Sequence, residues 1–361
     1  MPFYSIKTHV ANNFLFQYFE STASASLTTF GHDPKGVGAV VIRMALVNDS
    51  PSAKATQAAE LKISAINALI AASKSDIGPI EAIQHVAAGM LLCSFEIHGA
   101  SCTSGQWKLY IDGVKSIIKA STLETLERHS EFDALLSWVY YHDTLLRFST
   151  LHWHHQPPET PSLLPNTCLE TAFSMTSPFT TTLELLSEGC GVLAVTQAER
   201  MPAGQLEDYK NFMKILGWRI RSISASEPTV QGQIPLAKTA ELFQIATLVY
   251  LNRASGNLLD PPYETQQRIE RAFTLFSQLS TCERQFPVFV LGCEARTDAE
   301  RCVVLDLIAR TEKGASSRSL LLLKKLIQAV WVQDDLAQGE VDYNEKLSAI
   351  LSCCSILPTF V

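Results

Sequence analysis

The sequence predicts an all-α fold, a large multi-helix domain of packed antiparallel helices with a long proline-rich loop near the middle. Three observations carry that prediction. Apolar residues recur at spacings of three and four, the period of one helix face. Alternating apolar and polar runs bounded by tight turns, the mark of strands, are nearly absent. The composition, 47% hydrophobic and 18% charged, belongs to a chain that buries a core rather than one that stays disordered.

The elements follow in order. Ile80, Ile83, Ala87, Met90, Leu91 and Phe95 form the first helical stripe, and Pro79 stands where a first-turn proline is tolerated. Trp107, Tyr110, Ile111, Val114, Ile117 and Ile118 make the second. Phe132, Leu135, Leu136, Val139 and Leu146 make the third. Gln156 to Thr182 breaks the pattern with five prolines among many serines and threonines, so no continuous helix fits there. The stripes resume at Tyr209, Phe212, Met213, Leu216, Ile220 and Ile223. Leu236 to Leu251 is apolar nearly all round, which implies a helix buried in the centre. Asp260-Pro261-Pro262 ends one helix and starts another, whose stripe is Ile269, Ala272, Phe273, Phe276 and Leu279. Leu320, Leu323, Ile327, Val330 and Trp331, then Leu347, Ile350, Leu351 and Cys354, close the series. The reading is one domain over 1–361, in helical halves of about 10–155 and 183–361 joined by the loop 156–182.

Charge narrows the function. The net charge is −7. A chain that grips DNA draws most of its affinity from basic groups on phosphates, and no basic patch is visible here. Arg219 with Arg221, and Lys324-Lys325, sit in apolar-periodic stretches and read as solvated helix faces. No direct DNA contact is expected from this chain alone. No run of about 18 apolar residues points to a membrane span. The first residues lack the charged start and apolar centre of a signal peptide, which suggests the nucleus, with the cytoplasm as the alternative. Thiols stay reduced there, so nine cysteines need not pair. None forms a paired C-x2-C cluster for zinc. Cys93, Cys293 and Cys302 lie on apolar stripes and read as small buried hydrophobes.

Several polar groups interrupt apolar helices and need partners. Asp143 and Arg147 are four apart, so they meet on one helix face beside His142. The alternative, a catalytic His142-Asp143 pair, lacks a nucleophile elbow of the Gly-x-Ser-x-Gly type. Glu294 follows the apolar run Val288 to Cys293, and Arg296 or a neighbouring helix would supply its donors. We read His142, Asp143, Arg147, Glu294 and Arg296 as structural polar latches, and Gly292 as a point of close helix packing. His152, His154 and His155 invite a metal, but the frame of ligands a zinc site needs is missing. They read instead as a polar helix end. Asp334-Asp335 is too poor in carboxylates for a magnesium-diphosphate site and reads as a helix end. No catalytic, cofactor or metal residue is assigned.

Taken together, the segments carry a resemblance. Trp138 to Trp153, with its His-Asp and Arg-Phe-Ser steps, is similar to the fungal-specific transcription factor domain, the regulatory part of binuclear zinc cluster regulators. Leu242 to Arg253, with Tyr250-Leu251, resembles the central buried helix of that family. Phe286 to Ile308 resembles its Pro-x-Phe, Gly-Cys-Glu-Ala and Leu-x-x-Leu stretch, and Ala329 to Asp335 and Leu357 to Val361 its last segments. Met90 to Ile118 fits its earlier pattern. The resemblance implies an all-helical, non-enzymatic transcription regulator. Family members commonly add a six-cysteine zinc cluster and a basic linker, neither of which is found in these residues. The expected partners are DNA-bound transcription factors or the transcription machinery, a small-molecule effector, and a second copy in a homodimer. The alternatives are a helical enzyme acting on an apolar small molecule and a scaffold for a partner helix. A helical core offers either of them room for an apolar pocket.

Overall fold

The structure, a computed structural model, describes residues 78–98, 105–120, 130–153, 177–198, 203–223, 234–282, 284–314, 318–337 and 341–361, with single residues at 67 and 339. Its described residues form eleven helices and no strand. They are α1 (Pro79–His98), α2 (Trp107–Ala120), α3 (Ser130–His152), α4 (Pro178–Ala198), α5 (Ala203–Arg221) and α6 (Ile234–Ala254). Then come α7 (Pro262–Gln278), α8 (Gln285–Gly292), α9 (Asp298–Gly314), α10 (Arg318–Leu336) and α11 (Tyr343–Leu351). The all-α, multi-helix fold read from the stripes is the fold observed.

Local chemistry sets the helix starts. Pro178 opens α4, where its missing N–H costs nothing. Ser177 Oγ accepts from the Thr180 N–H at 3.1 Å, and Thr180 Oγ1 accepts from the Ser177 N–H at 3.0 Å. This reciprocal cap places residues 178–182 in a helix, five residues inside the stretch read as loop. Residues 156–176 of that stretch lie outside the described residues. Pro262 opens α7 in the same way. At α9, Thr297 Oγ1 accepts from the Glu300 N–H, while Glu300 Oε2 accepts from the N–H groups of Thr297 and Arg296. Asp342 caps α11 by accepting from the N–H groups of Asn344 and Glu345. Between α6 and α7 the chain reverses through Gly256 at φ 73° and Asn257 at φ 64°, a left-handed pair that glycine and asparagine tolerate best.

The chain forms two compact units. The described parts of one are residues 78–94, 109–120 and 130–139. It buries Val86, Met90 and Cys93 of α1, Ile111, Val114 and Ile118 of α2, and Leu135 and Val139 of α3. The other takes residues 95–98, 105–108 and everything described from 140 onward. Its hub is α6, which packs against α4, α5, α7, α8 and α11. The central position read from the apolar run is therefore that of the second half of the helix. Leu242 to Leu251 supplies its buried side chains, whereas Leu236 is 48% exposed.

Two glycines set how closely helices approach. A Cβ on Gly189 of α4 would stand 2.6 Å from Leu251 Cδ2 of α6. One on Gly292 would stand 3.0 Å from Ile327 Cδ1 of α10 and 3.3 Å from Val304 Cγ1 of α9. Both positions are occupied by a neighbouring side chain, so the missing methyl is the reason the helices fit.

Candidate functional site

The second unit centres on an aromatic cluster. Phe148 of α3 stands edge-on to Tyr250 of α6 at 4.9 Å between centroids and to Phe286 of α8 at 5.1 Å. Phe360, from the segment after α11, stacks at 4.4 Å on Phe289 and lies 5.2 Å from Phe148. His152 is the last residue of α3, at the helix end as read, but it is fully buried inside this cluster, with Nε2 3.0 Å from the Tyr250 hydroxyl. His154 and His155 lie outside the described residues. Burial, reinforced by neighbouring Cys190 and Tyr343, pushes the Tyr250 phenol well above its ordinary pKa. Burial likewise pushes the Cys190 thiol up to about 12, the nearby Arg147 charge opposing it. Burial thus favours the neutral form of both groups.

A polar network runs around the C-terminal end of α6. Asn252 is fully buried and is its pivot. Its Oδ1 accepts from the N–H groups of Leu259 and Asp260 at 2.9 and 3.0 Å, and its Nδ2 donates to Thr265 Oγ1 at 2.9 Å. Asp260 in turn accepts from Arg221 of α5 and Arg268 of α7, each at 2.6 Å. Burial raises the Asp260 carboxyl, and the two guanidinium groups oppose that rise. One residue on, Arg253 donates from Nη2 and Nε to the two oxygens of Glu294 at 3.0 and 3.4 Å. Asn257 Oδ1 accepts from both Asn252 and Arg253 and joins the two halves. Asn252, Arg221, Asp260 and Arg268 were not singled out as site residues from the sequence. Arg219 and Arg221 lie on an exposed face, as read, and each also makes an ion pair there, Arg221 with Asp260 and Arg219 with Glu188 of α4 at 2.7 Å.

The remaining sequence candidates fall into separate places. Asp143 accepts from Arg147 Nε at 3.2 Å, four residues along α3, and His142 lies edge-on to Tyr141 at 5.4 Å. Glu294 receives its donors from α6, and Arg296 pairs with Asp334 at 2.8 Å. Lys346, almost wholly buried, also donates to Asp334, at 3.0 Å, while Arg301 grips both oxygens of Asp335 at 2.7 and 2.8 Å. The Asp334-Asp335 pair is thus held by three cations from neighbouring elements. Cys93 and Cys293 are buried, but Cys302 is exposed, a departure from its reading as a buried hydrophobe. An i+3/i+4 stripe does not say which side of a helix edge a residue falls on. Among the described residues, no three His, Cys, Asp or Glu side chains are placed to hold one metal ion. An open depression of about 340 Å³ on α7 is lined by Tyr263, Glu264, Gln267, Arg268 and Arg271. Its lining surface is polar and apolar in about equal parts, and Arg271 grips Glu241 while Arg268 grips Asp260.

In the second unit, helices packed about α6 are tied to one another by ion pairs such as Arg221–Asp260, Arg253–Glu294 and Arg301–Asp335, and every described element is helical. The chain belongs to the fungal-specific transcription factor domain family, whose model matches residues 50–351. It is 41% identical over 371 aligned residues to the transcription factor iacI of Pestalotiopsis fici, an alignment that covers 96% of this chain and 94% of that one. No solved structure matches it. The chain is accordingly a transcription regulator of this family. Among the described residues, no helix is long and apolar enough to cross a membrane.

Proposed function

We propose that this chain is a non-enzymatic regulatory domain that acts in the nucleus through protein contacts, by docking on DNA-bound transcription factors or on the transcription machinery. The observation that carries the reading is the match to a transcription factor over nearly the whole of both chains. Two features support it. The charge of −7 opposes the phosphate contacts on which DNA affinity depends. These 361 residues also hold no paired C-x2-C cluster with which the family grips DNA. In that role this domain supplies the regulatory surface. A small-molecule effector and a homodimer are compatible with that role.

The test has two arms. Deleting the gene should change a defined set of transcripts, and an unchanged transcriptome would remove the regulator reading. The purified chain should leave duplex DNA unshifted at physiological salt. A shift that weakens steeply with salt would replace the protein-contact reading with direct DNA binding.

A further inference from the structure

The two adjacent cysteines after α11 have no part in the functions argued above. We propose that Cys353 and Cys354 form a dithiol site for a trivalent organoarsenical, and that filling this site loosens the segment 354–360. Both thiols are free, with Cys353 exposed and Cys354 partly exposed. The chain leaves α11 in a turn, with the Cys353 N–H on Ile350 O at 3.2 Å and the Cys354 N–H on Leu351 O at 3.1 Å. Cys353 Sγ donates to Ala349 O at 3.2 Å.

Adjacent Cα atoms stand about 3.8 Å apart across a trans peptide. That is shorter than the roughly 4.4–6.8 Å an unstrained disulfide needs. A direct S–S bond is therefore disfavoured, whereas one larger bridging atom with longer bonds spans the same two sulfurs. Soft thiol ligands select soft acceptors. Burial, with Cys353 adding to it, also raises the Cys354 pKa, which slows oxidation routes that start from a thiolate. Condensation with an arsenoxide is balanced without an oxidant. Two As–S bonds form, the arsenic–oxygen bond breaks, both thiol protons leave on that oxygen as water, and arsenic stays trivalent. The remaining described cysteines offer no such pair. Cys93, Cys190, Cys282 and Cys293 are buried, and Cys302 has no adjacent cysteine.

The site sits at the root of a pinned segment. Trp153 Nε1 donates to Cys354 O at 3.0 Å, and Trp107 Nε1 donates to Leu357 O at 3.2 Å. Phe360 is fully buried in the aromatic cluster. Drawing the two sulfurs onto one atom breaks the Cys353–Ala349 contact and turns the peptide whose carbonyl holds Trp153.

The experiment uses the whole chain and phenylarsine oxide. Intact mass should show one phenylarsenic bound, retained against excess glutathione and removed by 2,3-dimercaptopropanol. Cys353→Ala and Cys354→Ala should each lower retention against glutathione by ~100-fold or more, since chelation is lost, while Cys302→Ala leaves it unchanged. Amide exchange over residues 354–360 should rise on binding, and Trp153 fluorescence should change. Circular dichroism of each variant checks that it folds. Retention that is unchanged in both Cys353→Ala and Cys354→Ala would overturn the site. An adduct at these cysteines with unchanged exchange and fluorescence would overturn the coupling.

Discussion

At the scale of single residues, this protein places charge where charge is expensive and then pairs it. Glu294 is 3% exposed at its side chain and receives a two-point grip from Arg253. Replacing Arg253 with Met leaves the carboxylate buried without that partner, which should cost about 3 kcal/mol of unfolding free energy in urea titrations. Replacing both, Arg253→Met with Glu294→Leu, should recover most of the loss, because two apolar groups need no partner. If the double variant is no more stable than the single one, the carboxylate is satisfied by other groups and its role as a latch is lost. Sequence spacing showed some of these pairs and hid others. Asp143 and Arg147 are four apart, so one helix turn reveals them. Arg253 with Glu294 are 41 apart, and Arg221 with Asp260 are 39 apart, so only the packing of helices brings them together. That is why Glu294 is recognisable as a buried carboxylate from the apolar run before it, while its donor is not.

At the scale of elements, most helices were legible from their stripes, α4 and α9 were not, and helix edges were less legible still. A buried face imposes the 3.6-residue period on the sequence, so α5 is visible in Met213, Leu216 and Ile220, all of them buried. The start of α4 was hidden because its Ser-Pro cap stands at the end of a proline-rich stretch, and the prolines there outweighed it. The capping box Thr297-Asp298-Ala299-Glu300 has the S/T-x-x-E pattern, a signal that went unused in placing α9. Burial tends to raise the Glu300 carboxyl, but the N–H groups of Thr297 and Arg296 outweigh this and hold it below its ordinary value. A folded-state pKa below the unfolded one stabilises the protein fully above pH 4.5, the ordinary value, and that stabilisation fades as pH falls through the folded value. Glu300→Gln keeps an acceptor and removes the charge. It should be less stable than the parent by ~0.3–1 kcal/mol at pH 7, and the gap should close in acid. A gap independent of pH would assign the loss to geometry instead. Two glycines on α4 give a sharper contrast. Gly189→Ala drives a methyl into Leu251 and should cost about 1–3 kcal/mol. Gly191→Ala faces open space on the same helix and should gain about 0.5–1 kcal/mol. Thermal unfolding of the two variants should therefore move in opposite directions.

At the scale of the whole molecule, the question is whether the residues after α11 are part of the cooperative core of the second unit or a strand of chain laid on it. Phe360 decides it. Its ring contacts Phe148 from α3 and Phe289 from α8, and Phe148 in turn contacts Tyr250 of the hub helix α6. These elements lie far apart in sequence, so losing the ring opens a cavity among several of them at once, and neighbours held from different directions cannot collapse to fill it. Phe360→Ala should cost about 3–5 kcal/mol. The loss should appear as one shifted transition, seen alike by helical circular dichroism and by tryptophan fluorescence, since Trp107 and Trp153 both donate to the same segment. Phe360→Leu keeps an apolar group in place and should recover a large part of the stability. If instead fluorescence changes at a lower urea concentration than circular dichroism, the segment unfolds on its own. The contacts of Phe360 would then be an attachment to the core rather than a member of it, and the coupling proposed for Cys353 and Cys354 would stay confined to that segment.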